Sequence, residues 1–157
     1  MKNKYQTILL IIICIFTLTG CDNNDTKGMK LVTCERKTEQ MKNMDAELKY
    51  KIYHDGTYIK KTISTEKVTS SDRTILKQYK EAYEKVFKPY KDIEYYDNEV
   101  TTTSNSVTST TIINYEKVDY KKILALEGED GNIYETDGKV KLETLVNMYE
   151  KYGATCK

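Results

Sequence analysis

One block of this sequence decides what the rest of it has to fold with. Residues 8–16 (ILLIIICIF) form an unbroken apolar run, preceded by Lys2 and Lys4 and followed by small and polar residues. A helix that crosses a bilayer needs about 20 apolar residues, so this run is too short for a permanent span. A charged start, a short apolar centre and small residues after it describe a secretory signal peptide. The densest apolar segment of the chain is therefore expected to be absent from the folded domain.

The residues that follow sharpen that expectation. Leu18-Thr19-Gly20-Cys21 matches a bacterial lipobox: apolar, small, small, then cysteine. Small residues admit the peptidase to the scissile bond, and the Cys21 thiol is the nucleophile that takes up diacylglycerol. An ordinary cleaved leader with an incidental cysteine would leave the agreement at all four positions unexplained. Residues 1–20 are thus expected to be a cleaved lipoprotein signal, residues 21–28 a lipidated cysteine and polar tether, and residues 29–157 a single domain. Two or more acyl chains, palmitate for example, give stable anchoring where one does not. No polybasic cluster follows Cys21, so lipid and not charge would hold the protein to the membrane.

Without the leader, the chain has little apolar material. The full sequence carries 14 Tyr against 2 Phe and no Trp, so the core left after cleavage must be thin and partly phenolic. Each buried tyrosine brings apolar area together with a hydroxyl that needs a partner. Net charge is +1 over 157 residues, without the basic excess of a nucleic-acid binder. Lysine outnumbers arginine 23 to 2, which points to an AT-rich coding bias and a Gram-positive source. That source would place the anchor on the outer face of the cytoplasmic membrane. Cys14 leaves with the leader and Cys21 is consumed by lipid, so Cys34 and Cys156 remain, one near each end of the domain. Outside the cytoplasm such a pair reads as a disulfide. Two free thiols or a metal pair are the alternatives, though no histidine or further cysteine stands nearby to complete a zinc site.

The periodicities predict an α+β domain. Strands are expected over 29–39, over 46–53 with Ala46, Leu48, Tyr50 and Ile52 on one face, and over 57–68 with Ile59 and Ile63 on one face. Asp55-Gly56 marks the turn between the last two. Ser70, Ser71 or Asp72 caps a helix carrying Ile75, Leu76, Tyr79, Ala82, Tyr83, Val86 and Phe87, which Pro89 closes. A Thr-rich hairpin follows over 94–103 and 107–115. Asp119 caps a short helix, and a loop with Gly128, Gly131 and Gly138 leads to a helix over 140–152, with Gly153 at its C-terminus and a short final strand over 154–157. That order, β-β-β-α-β-β-α-α-β, predicts a mainly antiparallel sheet with two longer helices and one short helix packed on one side.

The stretch Tyr115-Glu116-Lys117-Val118-Asp119-Tyr120-Lys121, the glycine loop and the helix ending at Gly153 form a familiar unit. With the lipobox and the hairpin-then-helix order, it resembles the YehR-like family of small bacterial lipoproteins, a domain of unknown function. The resemblance spans most of the mature chain, and the stretch from Glu116 to Tyr120 is its specific part. It implies an envelope lipoprotein with an α+β fold and brings no catalytic residues or cofactor with it. The Cys34 and Cys156 pair is not part of the pattern of the shorter, alanine-rich members.

Candidate chemistry is sparse. His54, the only histidine, lies at a hairpin turn, where it reads as an exposed turn residue and not as a general base. Neither a G-x-S-x-G elbow nor a phosphate-binding glycine pattern is present. The acidic residues 127–130, with Glu135 and Asp137, fail the spacing of an EF-hand: placing Gly131 sixth puts Leu126 first, and placing Gly138 sixth puts Ile133 first. They read as a solvated loop, so no metal site is expected. The Thr/Ser run over 101–111 reads as a solvent-facing strand pair and, alternatively, as a hydroxyl ladder for a glycan. Tyr95 and Tyr96 read as stand-ins for phenylalanine in the core and, alternatively, as the lining of a groove. The expectation is a non-catalytic binding or interaction module at the cell envelope. A small hydrolase or transferase using Glu116 and Asp119 is the first alternative. A structural or assembly partner of another envelope protein is the second.

Overall fold

The computed structural model describes residues 25–41, 43–128 and 132–157; the leader, the lipobox and Cys21 lie outside them. Strands β1 (Lys30–Met41), β2 (Met44–His54), β3 (Ile59–Ser70), β4 (Tyr96–Thr102), β5 (Ser106–Asn114) and β6 (Thr155–Cys156) make one open antiparallel sheet in the order β4-β5-β3-β2-β1-β6. Helices α1 (Arg73–Phe87), α2 (Tyr120–Glu127) and α3 (Leu142–Lys151) complete the α+β domain in the expected chain order.

The strand register shows how few apolar residues the core uses. Cys34 pairs with Tyr50, Ile52 with Thr62, and Val68 with Val107, so these residues share one sheet face. On that face Leu145 of α3 packs with Cys34, Ile52, Ile59 and Val140. Leu76 of α1 packs with Val68 and Val107, and Ile123 of α2 with Ile93, Tyr96 and Val118. Each side chain so buried is worth about 1.5–3 kcal/mol relative to exposure.

At its start β3 departs from simple alternation. His54 pairs with Ile59 but Tyr53 with Lys61, so one extra residue is inserted at Lys60. A bulge of one residue reverses the facing of everything on one side of it. Ile59 is therefore buried, while Ile63, opposite Lys51, lies on the other face. Ile59 and Ile63 do not share a face as expected, and Thr62, Glu66 and Val68 take the core side instead. His54 is also corrected: as the last residue of β2 on the face of Ile52, and opposite Ile59, it is buried and not exposed.

The helix ends follow the capping signals in the sequence. Asp72 accepts from Thr74 N at 2.7 Å to start α1, and Asp119 accepts from Lys121 N at 3.1 Å to start α2. Pro89, which has no N–H, sits in the single 3-10 turn Lys88–Tyr90 that ends α1. The expected helix over 140–152 begins at Leu142, because Val140 bridges to Tyr134 and Lys141 to Tyr58 as extended backbone. Gly138, in the turn between Tyr134 and Val140, has φ +82°, and a Cβ there would lie 2.5 Å from the Tyr120 ring. Only glycine fits that position. After α3 the chain turns at Gly153 (φ +86°) into β6, where Cys156 pairs with Cys34 across the backbone and joins it in a disulfide.

Candidate binding cleft

A cleft of about 640 Å³ opens between the end of α1, the 3-10 turn and β4, within the usual range for small-molecule sites. Its aromatic wall follows from the chain path. Pro89 stops α1 and brings Tyr90 back toward Phe87, with ring centroids 6.4 Å apart. Tyr90 in turn stacks on Tyr96 at 4.7 Å and 19°. The Tyr90 hydroxyl donates to Glu127 Oε1 at 3.0 Å, and burial together with that carboxylate pushes its pKa up to about 12. Burial likewise raises the Tyr96 hydroxyl, so both phenols are neutral donors at any physiological pH.

Tyr95 aims Tyr96 into this wall. It has φ +65°, a left-handed conformation that costs a non-glycine residue about 1–2 kcal/mol. Hydrogen bonds from Asn114 N to its carbonyl and from Tyr96 N to Ile93 O hold it there. Successive tyrosines then part company: Tyr96 is buried and lines the cleft, while Tyr95 is 47% exposed with Lys117 Nζ 5.4 Å from its ring. Of the two, Tyr96 is both core and groove, and Tyr95 belongs to neither.

The floor is polar. Asn98 Nδ2 donates to Ser109 Oγ at 3.0 Å and to Thr111 Oγ1 at 2.8 Å, which leaves its side-chain carbonyl for a ligand. Asp97, Glu84, Lys88 and Lys91 stand at the rim. Flat phenol faces, acceptor oxygens and two ammonium groups suit a polar ligand with hydroxyl or amine donors and an anionic end. The Thr/Ser run is consequently not all solvent-facing: Ser106, Ser109 and Thr111 are buried, while Thr101 and Thr102 are exposed. Asn98 spaced two residues from Tyr96 and Val100 was the signal for this floor, legible only once β4 and β5 are placed in register.

The other candidates are dispersed. Glu116 pairs with Lys60 Nζ at 3.0 Å, whereas the Asp119 carboxylate is taken up by the α2 N-terminus, so the two acids serve different partners. Lys60 also bridges to Asp55 at 3.1 Å, and these acids raise its pKa against the opposing cost of burial. Asp55 is held well below the usual carboxylate range, first by Tyr58 N and Thr57 N and then by Lys60. His54 Nδ1 accepts from Gly56 N at 3.0 Å, and burial, with Lys30 nearby, lowers its pKa. Residues 129–131 of the acidic loop lie outside the described residues. Glu135 is paired with Lys141 and Asp137 with Lys139. Among the described residues no cluster of three metal-ligating side chains occurs. One group went unread in the sequence: Glu66, turned to the core face by the bulge, is half-buried and accepts from the Tyr83 hydroxyl, and burial raises its pKa.

Sheet, helices and cleft together define a small α+β domain with an open six-stranded antiparallel sheet. Two solved structures have this fold. The NMR structure of the E. coli YehR protein superposes with a TM-score of 0.52 at 17% identity, covering 82% of this chain and 92% of that one. The NMR structure of a protein from Streptococcus pneumoniae TIGR4 superposes with a TM-score of 0.50 at 16% identity, covering 82% and 86%. The chain thus has the YehR-like fold, whose function is unknown. No family model and no curated protein matches the sequence.

Proposed function

We propose that this chain is a lipid-anchored binding module of the bacterial envelope, held by Cys21 on the outer face of the cytoplasmic membrane and non-catalytic. The observation that carries the binding role is the cleft itself, where the stacked phenols of Tyr90 and Tyr96 meet the Asn98 carbonyl and the Lys88 and Lys91 rim. Leu18-Thr19-Gly20-Cys21 supports the anchor. We infer further that α1, α2 and α3 form one layer on one side of the sheet. In support, Leu76, Ile123 and Leu145 each pack on residues that the register assigns to the same face.

Two measurements test this reading. Fatty-acid labelling in cells should mark the wild-type protein and spare Cys21→Ala, which should accumulate as precursor; equal labelling of both rejects the anchor. Titration of the ¹⁵N-labelled domain with a disaccharide-peptide fragment of peptidoglycan, which offers sugar hydroxyls and carboxylates, should move the amide signals of Phe87, Tyr90 and Asn98 and return the fragment intact. Shifts confined to other elements, or cleavage of the fragment, would reject a binding role for the cleft.

A further inference from the structure

Residues 25–29 do not trail away from the domain. The Asp25 carboxylate accepts from Asn114 Nδ2 at 3.5 Å and lies 4.0 Å from Lys117 Nζ. Met29 N donates to Thr26 O at 3.1 Å, which turns the segment into β1. Lys30 at the start of β1 pairs with His54, whereas Asn114 pairs with Lys61 of β3, so the segment runs from β1 across β2 and β3 to β5. Three strand spacings are about 14 Å; the turn holds Thr26 and Met29 within about 7 Å of each other, and one residue on either side together with the Asp25 and Asn114 side chains covers the rest. Lys61 lies opposite Tyr53, on the face away from Ile52 and Leu145, yet it is only 8% exposed.

This seat fixes where a lipid on Cys21 can be. Three residues lie between Cys21 and Asp25, so four Cα-to-Cα steps span at most about 14 Å. The 12 residues of β3 extend roughly 40 Å. An acyl chain on Cys21 therefore reaches a bilayer from the end of the sheet where β5 finishes and β4 begins, and the opposite end, at the Ser104 turn, is beyond its range.

The near end has the chemistry of a membrane interface. Tyr95 lies under Lys117, and Tyr58 has Lys139 Nζ 5.3 Å from its ring. Tyrosine and lysine settle at headgroup level because ring and stem are apolar while phenol and ammonium take phosphate and carbonyl oxygens. Around them Lys60 is balanced by Asp55 and Glu116, so the surface has no excess of one sign that would bind anionic lipid unaided. It suits a domain already brought to the bilayer. We infer that the end of the sheet bearing Tyr58, Tyr95 and Lys117 rests on the headgroups of the membrane that holds Cys21. This inference rests on the lipidation of Cys21 proposed above.

The chain contains no tryptophan, so a single introduced one reports its own depth. Full-length lipidated protein carrying Tyr95→Trp, Tyr58→Trp or Ser104→Trp would be reconstituted into phosphatidylcholine–phosphatidylglycerol vesicles with brominated acyl chains. Emission should be lost at positions 95 and 58 and kept at 104. Two near-end positions guard against one variant failing to fold. Loss at 104 with retention at 95 and 58, or loss at none of the three in protein that floats with the vesicles, would overturn the inference. Failure of the anchor itself reads differently: the protein would carry no fatty-acid label and would not float, and the inference would fall with it.

Discussion

The two halves of the sheet meet the same shortage of apolar residues in opposite ways. Beneath α3, Cys34, Ile52, Ile59, Val140 and Leu145 are each no more than 2% exposed, and a disulfide closes the edge. Beneath α1, Val68 and Val107 share the face with Ser109, Thr111 and the half-buried Glu66. The first half is dry and cross-linked. The second is held by hydrogen bonds, Asn98 to Ser109 and Thr111 and Tyr83 to Glu66. Among the described residues no buried side-chain nitrogen or oxygen lacks a partner, so the polar half avoids the penalty of unmet groups. The cleft lies in this half, as expected if stability is concentrated in one region and binding in the less stable one.

Removing the staple is the strongest way to break that division. The disulfide closes a separation of 122 residues, and in the chain-entropy model its loss costs about 5 kcal/mol. Cys34→Ala with Cys156→Ala should show that loss in urea unfolding; a much smaller one would mean that the dry half owes little to its cross-link. Leu145→Ala comes next, with a cost of about 2–5 kcal/mol for a fully buried leucine. Hydrogen exchange should then show lost protection in β1 and β2, while β4 amides, which exchange by local opening, change little. Equal losses in both halves would erase the distinction between them.

The dry half was largely legible in the sequence and the polar half was not. Alternation at Ala46, Leu48, Tyr50 and Ile52, and the final strand that sets Cys156 beside Cys34, rest on local period and on chain ends that must meet. The cleft depends on a bulge at Lys60 and on one left-handed residue, Tyr95, neither of which has a glycine or proline to announce it. Read without the bulge, Thr62 and Glu66 are assigned to solvent and Ile63 to the core. Read as an exposed Thr ladder, β5 hides Ser109 and Thr111. His54 reads as exposed for the same reason, since its burial comes from Ile59 opposite and not from its neighbours in sequence.

A smaller effect probes the floor of the cleft. Asn98→Ala leaves the buried Ser109 and Thr111 hydroxyls without their donor and should cost about 1–3 kcal/mol. It should also weaken any ligand that shifts the Phe87 and Tyr90 amides. Were the variant to bind as the wild type does, the Asn98 carbonyl would have no part in recognition.

The smallest effect has the opposite sign. Burial raises the Glu66 pKa, and the Tyr83 hydroxyl only partly offsets this by donating to the carboxylate. A carboxyl whose folded pKa lies above its unfolded value favours the folded state while it is protonated. That contribution is fully present below the unfolded pKa and is lost as pH rises through the folded one. Above that folded pKa Glu66 is an ionised group held where water is scarce. Glu66→Gln removes the charge and keeps an oxygen for Tyr83, so it should unfold at slightly higher urea than the wild type at pH values above that folded pKa. The two midpoints should converge as pH falls through the folded pKa, because the protonated wild type and the amide then present the same neutral group. Urea midpoints measured across that range check it. A constant difference at every pH would mean that Glu66 is solvated like any surface carboxylate, and the polar half would be no more than loosely packed.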